Sequence, residues 1–109
     1  MNRRRVDVLV SDGCPNAKLA LERVREAIAD APTGGVETLV VQVESPADAV
    51  ARRFLGSPSV RVDGRDVDAS AQGRDDFGLQ CRLYAVEGRF EHAPPMEWIA
   101  AALAHRSSP

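Results

Sequence analysis

The sequence predicts an α/β fold with a mixed central sheet and helices on both faces. Three observations carry that prediction. Short β-branched runs alternate with amphipathic helical segments in the first half, an Asp-Gly pair separates two alternating runs in the second, and a double proline opens a final helical stripe. At 109 residues the chain has the size of one domain with one core. A single domain spanning 1–109 is therefore expected, with 1–5 and 106–109 frayed.

Val6-Asp7-Val8-Leu9-Val10, followed by Ser11-Asp12-Gly13, reads as a strand ending in a turn. Pro15 suits the first turn of a helix, and Ala20/Leu21, Val24, Ala27/Ile28 and Ala31 recur at helical spacing, which predicts a helix from Pro15 to Ala31. Pro32-Thr33-Gly34-Gly35 stops it. Val36 to Val43 contains the apolar run Leu39-Val40-Val41, the pattern of a buried strand, and the β-α-β order makes these first two strands parallel. Ser45-Pro46-Ala47-Asp48 reads as a capped helix start, with Val50, Ala51, Phe54 and Leu55 on its apolar face.

After Gly56-Ser57-Pro58, the alternation Val60-Arg61-Val62, Asp63-Gly64, Arg65-Asp66-Val67 predicts a β-hairpin. Asp68 to Gln80 is polar and reads as a mobile loop. Cys81 to Val86 resumes strand character, and Glu87-Gly88 turns it into a second short hairpin ending near Phe90. Pro94-Pro95 opens a last helix with Met96, Ile99, Ala102 and Leu103 facing inward. The expected order is β-α-β-α-β-β-(β)-α.

Hydrophobic residues make up 44% and charged residues 28%, a globular balance, and a net charge of −2 leaves no basic footprint for nucleic acid. The apolar stretch after Arg3-Arg4-Arg5 is short and interrupted by Asp7, so no signal peptide is expected. No run approaches the ~18 apolar residues of a spanning helix. These features predict a cytoplasmic protein with neither a membrane nor a nucleic-acid partner. Nothing in the sequence sets an oligomeric state. In a reducing compartment two cysteines point to burial, metal binding or redox chemistry rather than to a disulfide framework.

The sharpest constellation is Ser11-Asp12-Gly13-Cys14-Pro15-Asn16-Ala17. It places a thiol between a strand end and a helix start, where unpaired N–H groups and the helix dipole favour an anion such as a thiolate. Gly13 permits close approach by a partner's backbone, whereas Asp12 opposes ionisation of the thiol. The competing role for Cys14 is a small apolar plug under the helix. Ser57-Pro58-Ser59, just before a strand, is the second feature, since an X-Pro bond can adopt either isomer.

A strand, then Gly13-Cys14-Pro15-Asn16-Ala17 opening a helix, a β-α unit, and Ser57-Pro58-Ser59-Val60 leading into Val62-Asp63-Gly64-Arg65 resemble the thioredoxin/glutaredoxin superfamily. The resemblance spans Val6 to Leu103. It implies a thioredoxin-like fold with no cofactor, Cys14 as the nucleophile that attacks a disulfide, and Pro58 as the cis-proline packed opposite it. Gly13, Pro15, Asn16, Ser57 and Ser59 would line the binding site. The partner would be a disulfide-containing protein or a small thiol. The family's resolving cysteine is replaced by Ala17, which excludes a self-contained C-x-x-C cycle.

Phe54 to Gly64 together with Phe77-Gly78-Leu79-Gln80-Cys81-Arg82-Leu83-Tyr84 is similar to a small bacterial group of thioredoxin-like, selenoprotein-like proteins, some linked to alkylmercury lyase. That resemblance implies an alternative in which Cys14 and Cys81, as soft-metal ligands, handle mercury or an organomercurial, with Asp12, Asp75 or Asp76 nearby. A second alternative is a binding domain that kept the fold without the chemistry.

Cys81 is either a buried strand cysteine or the resolving thiol that Ala17 cannot be. The two cysteines with His92 and His105 do not make zinc-spaced pairs. His92 and His105 read as solvated, Trp98 as core or rim, and Arg3 to Arg5 and Arg52-Arg53 as solvated faces. Alternation sends Arg82, a candidate partner for a thiolate or a glutathione carboxylate, to the face opposite Cys81.

Overall fold

The computed structural model describes residues 4–31 and 35–105. Arg3, the helix stop at 32–34 and the tail 106–109 lie outside them. The main sheet contains β1 (Arg4–Ser11), β2 (Val36–Val43), β3 (Ser59–Val62) and β4 (Arg65–Asp66) in the order β2-β1-β3-β4. β1 runs parallel to β2, with Val6 opposite Thr38, and antiparallel to β3, with Val6 opposite Val62; β4 returns antiparallel to β3. Helices α1 (Ala17–Ala29), α2 (Pro46–Ala51) and α3 (Met96–Ala104) complete an α/β fold with a mixed sheet. A separate ribbon pairs β5 (Tyr84–Val86) with β6 (Arg89–Glu91).

Alternation along β1 splits the core between the two faces of the sheet. Val6, Val8 and Val10 pack with Ala20, Val24 and Ala27 of α1 and with Ile99 and Leu103 of α3. Leu9 points the other way, into a smaller cluster with Val43, Ala49 and Phe54. Helices therefore cover both faces, as expected. The Asp63-Gly64 turn has both residues at positive φ, which suits a two-residue hairpin between right-twisted strands. Glu87-Gly88 does the same for the ribbon.

Several elements differ from the sequence-based expectation. β2 lies at the sheet edge, so Leu39 and Val40 are 40% and 50% exposed rather than buried. A continuous apolar run looks the same at an edge as at a centre, because strand order is set by distant partners. α1 starts at Ala17, not Pro15, because residues before it are used in two turns: the Cys14 N–H donates to the Ser11 carbonyl and the Ala17 N–H to the Cys14 carbonyl. α2 ends at Ala51, turning Ala49 inward and Val50 outward; Phe54 and Leu55 are buried in the chain beyond it. Ser45 caps this helix by accepting from the Asp48 N–H at 3.0 Å. Arg4 is not solvated or frayed. It pairs with Asp63 and donates to the Leu103 and Ala102 carbonyls, satisfying the open end of α3.

The segment read as a mobile loop is tied down instead. Ala69–Ala71 forms a short 3-10 turn under the Asp68 side chain. The Gly78 N–H then donates to the Phe54 carbonyl, and the Gln80 amide to the Leu55 carbonyl. Where this segment meets Gly56, the backbones come too close for a side chain: a Cβ on Gly56 would lie 2.8 Å from the Gln80 carbonyl oxygen, at φ +127°. Gly56→Ala should therefore lower the unfolding free energy by about 1–3 kcal/mol in urea titrations. An unchanged midpoint would show that the 80–82 segment does not need this contact.

Candidate functional site

β1 ends at Ser11, and the Ser11–Cys14 turn follows, with Gly13 at φ +73°. Cys14 is half-buried and lies two residues before Asn16, the residue preceding the first turn of α1. It is thus farther from the helix dipole than the sequence suggested, since that field fades within one turn. Gly13 and Pro15 are exposed and Asn16 is half-buried; Asn16 makes no side-chain cap.

Ser57 links this turn to the rest of the site. The Ser11 N–H donates to Ser57 Oγ at 3.1 Å, and the Ser57–Pro58 peptide is cis. On its other side, the Ser57 N–H donates to the Gln80 carbonyl at 2.9 Å and the Arg82 N–H to the Ser57 carbonyl at 3.0 Å. This is a parallel bridge between Ser57 and Cys81. Both cysteine segments therefore reach the same end of the sheet and flank Ser57, and both thiols are free. Ser57, Pro58 and Ser59 are themselves buried, so their role here is to hold the neighbouring backbone.

Cys81 is exposed, not the buried strand residue that was one of its expected roles, and β5 begins only at Tyr84. Cys81 borders an open cavity of about 460 Å³ whose walls include apolar Leu55, Phe77 and Leu83 and polar Arg74, Asp76 and Gln80. Arg74 and Asp76 pair with each other at 2.7 Å across its rim. Cys14 is not among the lining residues. No group of three or more His, Cys, Asp or Glu side chains gathers to hold a metal among the described residues. His92 and His105 are exposed, and Trp98 packs edge-on to Tyr84 at 6.3 Å.

Sequence reasoning missed the polar network beneath Cys81. Arg82, 2% exposed, donates to both carboxylate oxygens of Asp66 at 2.7 and 2.9 Å and to Ser59 Oγ at 2.9 Å; Asp68 lies 3.6 Å away. Its guanidinium covers the Tyr84 ring at 4.5 Å, and only Nε lacks an acceptor among the described residues. Burial disfavours the charge, but the Asp66 hydrogen bonds, with Tyr84 and Asp68, outweigh this and hold Arg82 above the usual arginine value. Arg82 is thus committed to Asp66 and Asp68, not to a thiolate. The available signal was an arginine alternating with Tyr84 in an otherwise apolar run, two acids upstream at Asp66 and Asp68, and a strand face to bury them.

No protein-family model, curated protein or solved structure matches the chain at a significant level. Among the described residues, no helix is long and apolar enough to cross a membrane.

The Tyr84 hydroxyl donates to the Pro58 carbonyl, and burial, reinforced by Asp66 and Asp68 against the pull of Arg82, pushes the phenol above its usual value near 10. With the folded value raised, the stabilisation from the neutral phenol is complete below about pH 10 and is lost as pH rises above it. Tyr84 is the chain's one tyrosine. Its phenolate absorbance should appear above that pH and together with unfolding, and Tyr84→Phe should remove this share of the alkaline destabilisation. A titration at the free-tyrosine value, with the fold intact, would contradict it.

Proposed function

We propose that this is a thiol-disulfide exchange protein of thioredoxin-like fold, working in the reducing cytoplasm, with Cys14 as nucleophile and Cys81 as resolving thiol. The observation that carries the proposal is the double tie at Ser57, which gathers the two cysteine segments at one end of the sheet. The parallel β1-α1-β2 unit joined to an antiparallel β3-β4 hairpin, with α1 and α3 on one face, supports the thioredoxin-like assignment.

In the proposed cycle the Cys14 thiolate attacks one sulfur of a disulfide, forming a mixed disulfide and expelling the other sulfur as a thiolate. The Cys81 thiolate then attacks Cys14 Sγ, releasing the second half of the substrate. The substrate disulfide is reduced to two thiols, and the two cysteines are oxidised to one intramolecular disulfide. Two molecules of an external low-molecular-weight thiol then open that bond in turn, through a mixed disulfide, leaving as their own disulfide and returning the protein to the dithiol state. Ala17 leaves the helix without a second thiol, so resolution falls to the residue across the Ser57 turn.

Glutathione disulfide is a direct probe. Intact mass under non-reducing conditions should show wild-type protein losing a pair of hydrogens as the Cys14–Cys81 bond closes. Cys81→Ser should instead accumulate one glutathione adduct, mapped to Cys14. Exchange by Cys14→Ser as fast as by wild type would overturn the assignment.

A further inference from the structure

We propose that Arg82 is a positioning residue for Cys81, and that its clamp on Asp66 and Asp68 raises the effective concentration of Cys81 at Cys14. The proposal rests on the reading that these two thiols exchange.

Residues 72–83 form no helix or strand, so backbone ladders do not hold this arm. Its attachments among the described residues are few: Gly78 to Phe54, Gln80 to Leu55, the Phe77 ring under the Arg53 guanidinium at 5.0 Å, the two backbone bonds to Ser57, and the Arg82 side chain. Of these, only Arg82 inserts a buried charge. Its guanidinium reaches Asp66 at the end of β4, Asp68 in the following turn and Ser59 at the start of β3. One side chain therefore fastens the arm to three points on the sheet and hairpin.

The direction of Cys81 follows from the same burial. Exposure alternates from Cys81 to Ala85: Arg82 and Tyr84 are buried, while Cys81, Leu83 and Ala85 are exposed. Drawing Arg82 inward turns its neighbour outward in an extended backbone. It also keeps the Arg82 N–H on the Ser57 carbonyl, beside the Ser11–Cys14 turn. A loosened arm would spread Cys81 over a larger volume, and the local concentration of a tethered group falls as that volume grows. Asp66 is the better point of attack, because asparagine keeps the shape and the oxygen that accepts the Asp68 N–H at 2.9 Å while removing the charge.

The test equilibrates wild type, Asp66→Asn and Asp66→Glu in glutathione redox buffers and measures the fraction carrying the Cys14–Cys81 bond. Closure in Asp66→Asn should fall by at least about tenfold. The bimolecular reaction of Cys14 with glutathione disulfide should stay within about twofold, because the hydrogen bonds and ion pairs of the clamp run to Ser59, Asp66 and Asp68 and not to Cys14. Asp66→Glu, which restores a carboxylate, should recover part of the loss. Asp68→Asn, at the longer contact, should act in the same direction and serves if Asp66→Asn fails to fold by circular dichroism. Unchanged or increased closure in a folded clamp variant would overturn the positioning role. A wild-type protein that forms the glutathione adduct at Cys14 but never the internal bond would instead overturn the resolving role of Cys81, and the clamp's role with it.

Discussion

The guanidinium of Arg82 is the interaction on which this end of the molecule depends. A buried charge is tolerated only where partners replace the water it loses, and here a bidentate carboxylate, a hydroxyl and an aromatic face do so. Removing one partner of such a pair costs about 3–5 kcal/mol, because the remaining charge stays buried. The chain therefore cannot release the 80–84 segment without exposing both Arg82 and the Tyr84 ring. Gly56, which gives that segment room, and Tyr84, which bonds to Pro58, belong to the same cooperative unit.

That unit sits beside a more ordinary core. β1 is paired on both edges, and its Val6–Val10 stretch is apolar on both faces apart from Asp7, which pairs with Arg5 at 2.9 Å. Ala20, Val24, Ile99 and Leu103 close over one face, while the second cluster is smaller because α2 is only six residues long. The two faces are thus unequally insulated. β2 at the edge carries one acid, Glu37, among its eight residues, and that charge is its main defence against pairing with another strand.

The candidate site draws its two thiols from the irregular part of the fold and their support from the regular part, a common division because loops can present side chains that ladders would bury. Cys14 leaves the end of the central strand through a tight turn, and Cys81 rides on an arm with no regular structure. Ser57 stands between them with its hydroxyl and both backbone groups engaged. Cys81 is exposed beside an open, partly apolar cavity, and the Arg74–Asp76 pair at its rim leaves little net charge there.

By itself the sequence determined the features that depend on neighbours along the chain. Ser45 before Pro46 specified a capped helix, Asp63-Gly64 a hairpin turn, the spacing of Val24, Ala27, Ile99 and Leu103 two inward stripes, and Gly13-Cys14 a thiol just past a strand. Each is a local preference of backbone geometry or periodicity. The tertiary structure decided what depends on distant partners: that β2 is an edge, that residues 69–80 are fastened, that Cys81 is exposed beside Ser57, and that Arg82 belongs to Asp66. An arginine in an alternating strand is compatible with either face until a carboxylate is brought to it. Sheet topology, which brings β4 and the following turn beside the chain that leads into β5, makes that choice.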